Sequence, residues 1–141
     1  MKKIFISSDH AGYKLKELIK LHLDKKKITY KDLGPNNDGR VDYPDYAHKV
    51  AKKVKTSKNH VGILVCGSGI GMNITANKHK NVRAAQCFNF KTTKLSRLHN
   101  DANVITLGSR LLTKKNALNC VSIFLNTKFD GGRHAKRLEK I

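Results

Sequence analysis

The sequence predicts a three-layer α/β sandwich, in which a mainly parallel, five-stranded sheet carries helices on both faces. Short apolar runs rich in β-branched residues alternate along the chain with longer segments of helical periodicity. Such alternation requires right-handed crossovers, which make neighbouring strands parallel and place helices over the sheet. The chain has 141 residues, of which 39% are hydrophobic, and it shows no repeat and no long linker. We therefore expect a single domain, residues 1–141, with one core.

Each predicted element has a local signal. Apolar runs bounded by turn residues predict the strands, and apolar stripes such as Leu15, Leu18, Ile19 and Leu23 predict the helices. The predicted strands are residues 3–7, 29–33, 61–66, 82–87 and 103–107. The predicted helices are residues 12–25, 44–56, a short helix ending at 77, 92–98 and 114–126, with a tail, 129–141, that is helical at its end. This order of elements is Rossmann-like.

Residues 62–78 are the most informative part of the chain. An apolar run ends on Cys66 and is followed by glycine at every second position, Gly67, Gly69 and Gly71, before helix-compatible residues resume. This pattern predicts a buried strand, a tight turn and the start of a helix. Glycine lets a backbone approach a ligand closely, and free amides at a helix start favour an anion. Cys66 then lies at the carboxyl end of a strand, where ligands bind in open parallel sheets.

Three other interpretations of this loop are possible, and the spacing of its residues excludes two of them. A strand-to-helix turn can be glycine-rich for its geometry alone. A Walker A loop is excluded, because no lysine follows Gly71 until Lys78. A dinucleotide fingerprint is excluded as well, since Met72 stands where the third glycine belongs and Lys91, not an acid, lies about 20 residues further on. The loop is suited to a small anion.

The formal net charge of +19 and the sequence pI of about 10.1 raise the question of nucleic-acid binding. The lysines are spread along the whole chain, only 6% of residues are aromatic, and no known nucleic-acid-binding motif is present. These observations favour a solvated basic surface that draws anionic metabolites to a cleft and binds no nucleic acid. A basic nucleic-acid-binding protein on the same fold remains the alternative from a different functional class.

Composition also bears on location and cofactors. The three cysteines lie far apart and form no disulfide framework and no metal-binding pair, so we expect free thiols, a cytoplasmic protein and no metal. The apolar stretch after Met1 is too short for a signal peptide, and no run approaches the length of a membrane span.

Polar residues that could take part in catalysis or binding occur at three further places. Asp9 and His10 follow the first strand, where an acid can also serve only to cap the next helix. His99 and Asn100 precede the fifth strand, where a lone pair of this kind is often plain surface. The tail carries two arginines, which taken alone suggest no more than a basic terminus.

These segments together resemble the B-type ribose-5-phosphate isomerases, which are grouped with the galactose-6-phosphate isomerase subunits. The likeness covers essentially the whole chain, and one departure is Ser68, where the family usually has threonine. The motifs that carry the resemblance are Ser8-Asp9-His10-Ala11-Gly12, Val41-Asp42-Tyr43-Pro44, Cys66-Gly67-Ser68-Gly69-Ile70-Gly71-Met72, Arg83-Ala84-Ala85, Arg97-Leu98-His99-Asn100-Asp101-Ala102-Asn103-Val104, Leu107-Gly108-Ser109-Arg110 and Gly131-Gly132-Arg133-His134 with Arg137.

The resemblance implies an aldose–ketose isomerase that interconverts ribose 5-phosphate and ribulose 5-phosphate in the non-oxidative pentose phosphate pathway, with no cofactor. Cys66 is then the base that moves the proton, His99 opens the sugar ring and Asp9 holds a hydroxyl. The remaining implied substrate-binding residues are the amides of Gly67, Ser68, Gly69, Ile70 and Gly71, the side chains of Tyr43 and Asn100, and, for the phosphate, Arg133 and Arg137 with Arg110 and His10.

The resemblance further implies a homodimer or homotetramer whose active sites take residues from two subunits. A tail over about residues 127–141 that packs on a partner subunit agrees with this expectation. Two hexose phosphates, allose 6-phosphate and galactose 6-phosphate, remain alternative substrates. The galactose-type subunits generally lack a His-Asn pair such as His99-Asn100, which argues against the second of these.

Overall fold

Five parallel strands form the centre of the protein, in a computed structural model that describes residues 1–141. They pair in the order β2-β1-β3-β5-β4, so the sheet is parallel throughout, where the sequence predicted one mainly so. The strands are β1 (Lys3–Ser8), β2 (Tyr30–Asp32), β3 (His60–Cys66), β4 (Ala84–Gln86) and β5 (Val104–Gly108). The helices are α1 (Tyr13–Lys25), α2 (Tyr43–Val54), α3 (Ile70–Ala76), α4 (Phe90–Asn100), α5 (Lys114–Asn126) and α6 (Arg133–Leu138).

The sheet is covered on both faces, as the sequence predicted. On one face, α1 and α5 bury apolar side chains such as Ile19, Leu23 and Phe124 against the sheet. On the other face, α2 and α3 bury side chains such as Val50 and Met72. The central strands β1, β3 and β5 are apolar on both sides because both sides are covered. None of the helices is long and apolar enough to cross a membrane.

The element boundaries differ from the predicted ones where the ends depend on contacts. The outermost strands, β2 and β4, are three residues each, shorter than their apolar runs, because each pairs with one neighbour only. Helix α4 starts earlier than predicted because Oδ1 of Asn89 accepts a hydrogen bond from the Thr92 amide at 2.8 Å. It ends at Asn100, later than predicted, because Asp101 adopts the left-handed conformation that terminates the helix.

The close approach of α1 to the sheet yields a stability prediction. A Cβ atom on Gly12 would lie 2.3 Å from the carbonyl oxygen of Val65 in β3. We expect Gly12→Ala to lower the free energy of unfolding by about 2 kcal/mol or more in urea titrations, since a sheet backbone cannot yield as a side chain does. Gly39→Ala is the matched control, because its Cβ would meet only the Asn37 side chain in an exposed loop. Equal losses in the two variants would refute the explanation.

Candidate active site

A pocket of about 290 Å³ lies at the carboxyl edge of the sheet, where β1 and β3 end. Cys66 is the last residue of β3 and reaches this pocket, although only 4% of its surface is exposed. The structure brings together several of the residues that the sequence singled out. The residues that line the pocket are Asp9, Tyr43, Cys66, Gly67, Ser68, Gly71, Arg110 and Leu111.

The glycine-rich loop surrounds the sulfur of Cys66 with amide groups. Gly69 has a φ of +79°, which turns its N–H back to donate a hydrogen bond to Sγ of Cys66 at 3.1 Å. The amide of Ile70 is occupied by Oγ of Ser68 at 3.2 Å. The amides of Gly67, Ser68 and Gly71 donate no hydrogen bond within the chain, and these residues line the pocket. Of the five amides that the resemblance implied, three are therefore free to bind a substrate oxygen, and one faces the thiol.

Contacts from two neighbouring strands hold this loop rigid. The carbonyl oxygens of Cys66 and Gly67 accept hydrogen bonds from the amides of Ser109 and Arg110, at 2.8 and 3.0 Å. The carbonyl oxygen of Ser68 accepts a hydrogen bond from Nε2 of Gln86 at 2.7 Å. Sequence analysis missed the role of Gln86, since one glutamine in a short outer strand carries no signal. The loop is preorganised, so its free amides are fixed before a ligand arrives.

Two glycines of the loop are required by neighbouring side chains as much as by any ligand. A Cβ atom on Gly71 would lie 2.5 Å from the ring of Tyr43, and one on Gly67 would lie 3.0 Å from Nη1 of Arg110. Tyr43 and Arg110 therefore lie directly against the loop, one at the start of α2 and one after β5. The missing side chains make room for Tyr43 and Arg110 in the wall of the pocket.

Asp9 both caps a helix and lines the pocket, so the two interpretations of this residue are compatible. Its Oδ1 accepts a hydrogen bond from the amide of Gly12 at 2.8 Å, which fixes the carboxylate at the start of α1. Its second oxygen has no hydrogen-bond partner within the chain. The adjacent His10 places Nδ1 3.0 Å from the carbonyl oxygen of Val41, which ties the end of β1 to the segment before α2.

Four other implied site residues, together with His134, form a second group, which we call the imidazole cluster: His99, Asn100, Arg133, His134 and Arg137. The rings of His99 and His134 stack at a centroid distance of 4.2 Å and an angle of 14°. The amide of Asp130 donates a hydrogen bond to the carbonyl oxygen of Leu98 at 3.1 Å, which holds the tail against α4. The tail is helical over Arg133–Leu138, as predicted, and its two arginines are one turn apart.

A single chain does not bring the imidazole cluster to the pocket. Helix α4 begins beyond the carboxyl end of β4 and runs back, so that His99 and Asn100 lie near the amino end of β5. Cys66 lies beside Gly108, at the carboxyl end of the same strand. A strand rises about 3.3 Å per residue, so the five residues of β5 put about 15 Å between these two edges. One substrate cannot touch both groups of one chain.

His99, Asp130 and His134 place one possible metal-ligand atom each within 4.8 Å of the others. The lone pairs of imidazole lie in the ring plane, so two stacked rings direct them side by side and not toward one point. Arg133 and Arg137 add positive charge beside these rings. The cluster as arranged fits an anion better than it fits a cation. His134 is a residue that sequence reasoning quoted only within a motif, and its stacking on His99 had no local signal.

The other two cysteines lie inside the core, at 1% exposure each. Burial raises the pKa of Cys87 to about 11, and burial also raises the pKa of Cys120. Both thiols therefore stay protonated at neutral pH, and Cys66 is the one cysteine that lines the pocket.

Exposed lysines occur on helices of both sheet faces. They lie on α1 and α5 as well as on α2, and α4 and α6 carry more. This distribution gives no single basic face of the kind that binds nucleic acid. The exposed lysines of these five helices are Lys14, Lys25, Lys49, Lys52, Lys53, Lys91, Lys94, Lys114, Lys115 and Lys136.

The architecture and the pocket define a class: three-layer α/β proteins with a thiol at the end of the central strand, beside a glycine-rich anion loop. Residues 4–141 match the model of the Ribose/Galactose Isomerase family, and the chain belongs to that family. The family that the sequence motifs implied is thereby confirmed.

Individual relatives agree in sequence and in structure. A probable ribose-5-phosphate isomerase B of Mycoplasma genitalium is 48% identical over 140 residues, covering 98% of this chain and 92% of that protein. The structure of Clostridium thermocellum ribose-5-phosphate isomerase B has a TM-score of 0.95 at 45% identity, covering 98% of this chain and 93% of that one. The Mycoplasma genitalium ribose-5-phosphate isomerase B structure with bound ribulose-5-phosphate has a TM-score of 0.94 at 47% identity, covering 98% and 92%. The predicted fold is confirmed.

The stacked imidazoles yield a pH prediction. Burial, His99, Arg133 and Arg137 lower the pKa of His134 from its ordinary value of 6.5. The unfolded chain then binds the proton more tightly, so the stabilisation is complete above about pH 7 and is lost as pH falls through the lowered folded value. We expect the wild type to lose more unfolding free energy between pH 7.5 and 5 than His134→Phe, which keeps a planar ring and does not titrate. Parallel pH profiles for the two proteins would contradict this coupling.

Proposed function

We propose that this chain is an aldose–ketose isomerase that interconverts D-ribose 5-phosphate and D-ribulose 5-phosphate through an enediolate. One observation carries the proposal: the sulfur of Cys66 accepts a hydrogen bond from Gly69 at 3.1 Å and shares its pocket with three residues whose amides are free. A thiolate base and an oxyanion site side by side are what proton transfer next to a carbonyl requires. Membership of the Ribose/Galactose Isomerase family and the names of the relatives support the substrate assignment.

In the proposed reaction, Cys66 moves one proton and no group leaves. The thiolate removes the proton from C2 of the open-chain aldose, the electron pair of that C–H bond forms the C1=C2 double bond, and the π pair of the carbonyl moves to the oxygen on C1. The proton of the C2 hydroxyl then passes to the oxygen on C1. The C2–O bond becomes the ketone carbonyl, and the electron pair of the C1=C2 bond takes the proton back from the thiol at C1. The amides of Gly67, Ser68 and Gly71 hold the enediolate oxygens, each donor of this kind contributing roughly 3 kcal/mol.

The side chains around the thiol position the sugar. The second carboxylate oxygen of Asp9 has no partner in the chain and is placed to accept a hydrogen bond from a sugar hydroxyl. The hydroxyl group of Tyr43, packed against Gly71, reaches the same pocket. Arg110 lies over Gly67 at the pocket mouth and provides a fork of donors for a phosphate, and His10 lies beside Asp9 to assist it.

The imidazole cluster serves the pocket of a second copy of the chain in this proposal. Its four implied site residues lie at the opposite edge of the sheet from Cys66, so a partner must supply them. Leu111 lines the pocket and is 65% exposed, and α3, which begins at the glycine-rich loop, carries Ile70 and Ile74 at 50 and 57% exposure; a partner would cover these apolar side chains. His99 then opens the sugar ring, Asn100 binds hydroxyls, and Arg133 and Arg137 hold the phosphate. A homodimer satisfies this requirement, and a homotetramer is two such pairs.

The proposal places the enzyme in the non-oxidative branch of the pentose phosphate pathway. The chemistry depends on Cys66 being a reduced thiolate, which favours the cytoplasm as its location. No organic cofactor and no metal has a part in the proton transfer described.

The direct test is turnover of ribose 5-phosphate, with allose 6-phosphate assayed beside it. We expect Cys66→Ala to lower kcat by a factor of about 10²–10⁴ while substrate still binds, because the base is lost and the amides remain. Cys120→Ala is the control, since that thiol is buried and protonated. Near-normal turnover by the Cys66 variant would remove the proposed base. Turnover of the hexose phosphate alone would reassign the substrate.

The shared site has its own test in mixed oligomers. Cys66→Ala and His99→Asn each damage every site when expressed alone. A hybrid of the two chains contains one site with an intact pocket and an intact cluster, so random pairing should restore about a quarter of wild-type activity per chain. Coexpression with two affinity tags isolates the hybrid for the coupled assay. If the hybrid stays as inactive as its parents, pocket and cluster act within one chain and the two-subunit site is wrong.

A further inference from the structure

The turn that follows His99 and Asn100 is held by a set of charged groups that the proposed chemistry does not use. Asp101 ends α4, and its carboxylate lies between two arginines. Oδ1 accepts a hydrogen bond from Nη1 of Arg97 at 2.8 Å, and Oδ2 accepts one from Nη2 of Arg83 at 3.2 Å. We call these three residues the arginine clamp.

The clamp also occupies the backbone at the end of α4. Nε of Arg83 donates to the carbonyl oxygen of Asn100 at 3.0 Å, and Nη2 of Arg83 donates to that of Asp101 at 2.8 Å. Nη1 of Arg97 donates to the carbonyl oxygen of Ala102 at 2.6 Å. The last carbonyls of a helix have no partner within the helix, and here Arg83 binds that of Asn100, while the two arginines bind the carbonyls of the next two residues. The guanidinium groups also suit the negative end of the helix dipole. The end of α4, which carries His99 and Asn100, is therefore fixed by both arginines.

The same clamp reaches the tail. Nε of Arg97 donates a hydrogen bond to the carbonyl oxygen of Thr127 at 3.2 Å, at the point where α5 ends and the tail begins. Only 7% of Arg97 is exposed, so its charge is nearly buried and depends on these partners. One arginine thus joins the helix end that bears His99 to the segment that leads to Arg133 and Arg137.

The residue type at position 101 adds a separate argument. Asp101 has a φ of +42°, a region in which glycine is relaxed and most other residues are strained by about 1–2 kcal/mol. A helix that needed only an end would be better terminated by glycine. Aspartate tolerates this conformation better than most residues but less well than glycine, and the carboxylate at this position binds two arginines.

We propose that Asp101, bound by Arg83 and Arg97, is a positioning residue for the reaction, which holds His99, Asn100 and the start of the tail as one rigid unit facing the partner's pocket. This inference rests on the proposed function. It assigns the clamp to the imidazole cluster, the half of the site to which the proposal gives ring opening and phosphate binding. Proton abstraction by Cys66 belongs to the other half.

The test uses Asp101→Gly, which removes the carboxylate and relaxes the backbone, while Arg97 keeps its hydrogen bonds to the carbonyl oxygens of Ala102 and Thr127. Urea titration checks that the variant folds. We expect kcat/KM for ribose 5-phosphate to fall about 10- to 100-fold, because a displacement near 1 Å of positioned groups has this effect. Arg83→Lys keeps the positive charge but loses the planar set of donors, so its kcat/KM should fall less than that of Asp101→Gly.

A second measurement separates the two halves of the site. The rate of exchange of the C1 proton of ribulose 5-phosphate, an open-chain substrate, should fall less in Asp101→Gly than the turnover of the closed-ring aldose. Glu17→Gln is the control and should leave kcat/KM unchanged. The Glu17 side chain is 37% exposed, against 36% for Asp101, and its ion pair with Lys20 lies on α1.

Mixed oligomers of two variants show which half of the site the Asp101→Gly change damages. Asp101→Gly mixed with Cys66→Ala should regain activity, since the two defects lie in different halves, whereas Asp101→Gly mixed with His99→Asn should not. Recovery in the second mixture, or full kcat/KM in Asp101→Gly beside an inactive Cys66→Ala, overturns the clamp and leaves the proposed function standing. A wild type without isomerase activity is the separate outcome that would overturn the proposed function itself.

Discussion

The pocket depends on one constraint: the backbone at the end of β3 lies so close to its neighbours that side chains are excluded around it. A Cβ on Gly12 would meet Val65 at 2.3 Å, and one on Gly108 would meet the carbonyl oxygen of Ser68 at 2.6 Å. These contacts bring α1 and β5 against the strand that ends in Cys66. The thiol, the free amides and Asp9 are consequently held by contacts between backbone segments. Such contacts are more rigid than contacts between side chains, which can change rotamer. Such preorganisation is the main source of stabilisation for an enediolate.

A second consequence of the fold is the separation of the site into two halves. A crossover helix must run opposite to the strands, so residues at its end lie at the amino edge of the sheet. His99 and Asn100 occupy that position, and the tail joins them through the stacking of His134 and the hydrogen bonds of Arg97. The chain therefore presents a thiol pocket at one edge and a group of imidazoles and arginines at the other. This separation is the reason for the proposal that two copies of the chain combine the pocket of one with the imidazole cluster of the other.

The acidic and basic side chains of the chain have different roles. The chain has ten acidic residues against 29 basic ones, and the carboxylates with structural roles are all engaged. Asp9 binds a helix amide, Asp32 binds Lys16 and Lys20, and Asp101 binds two arginines. Burial opposes ionisation of Asp32, yet hydrogen bonds from the two lysines and Gly34 lower its pKa. The excess of positive charge lies on surface lysines of both faces, where it attracts anionic sugars without defining a site.

The sequence by itself determined the fold class, the order of elements, and the placement of Asp9 and Cys66 at strand ends, because periodicity and parallel topology fix those features. It also determined the family, through motifs spread over the chain. Only the tertiary structure decided which amides of the loop are free, why Gly71 faces Tyr43, and that His99 lies far from Cys66 within one chain. It alone revealed the His134 stack, the role of Gln86 and the arginine clamp. These depend on contacts between residues distant in sequence, for which the local pattern of a chain carries no signal.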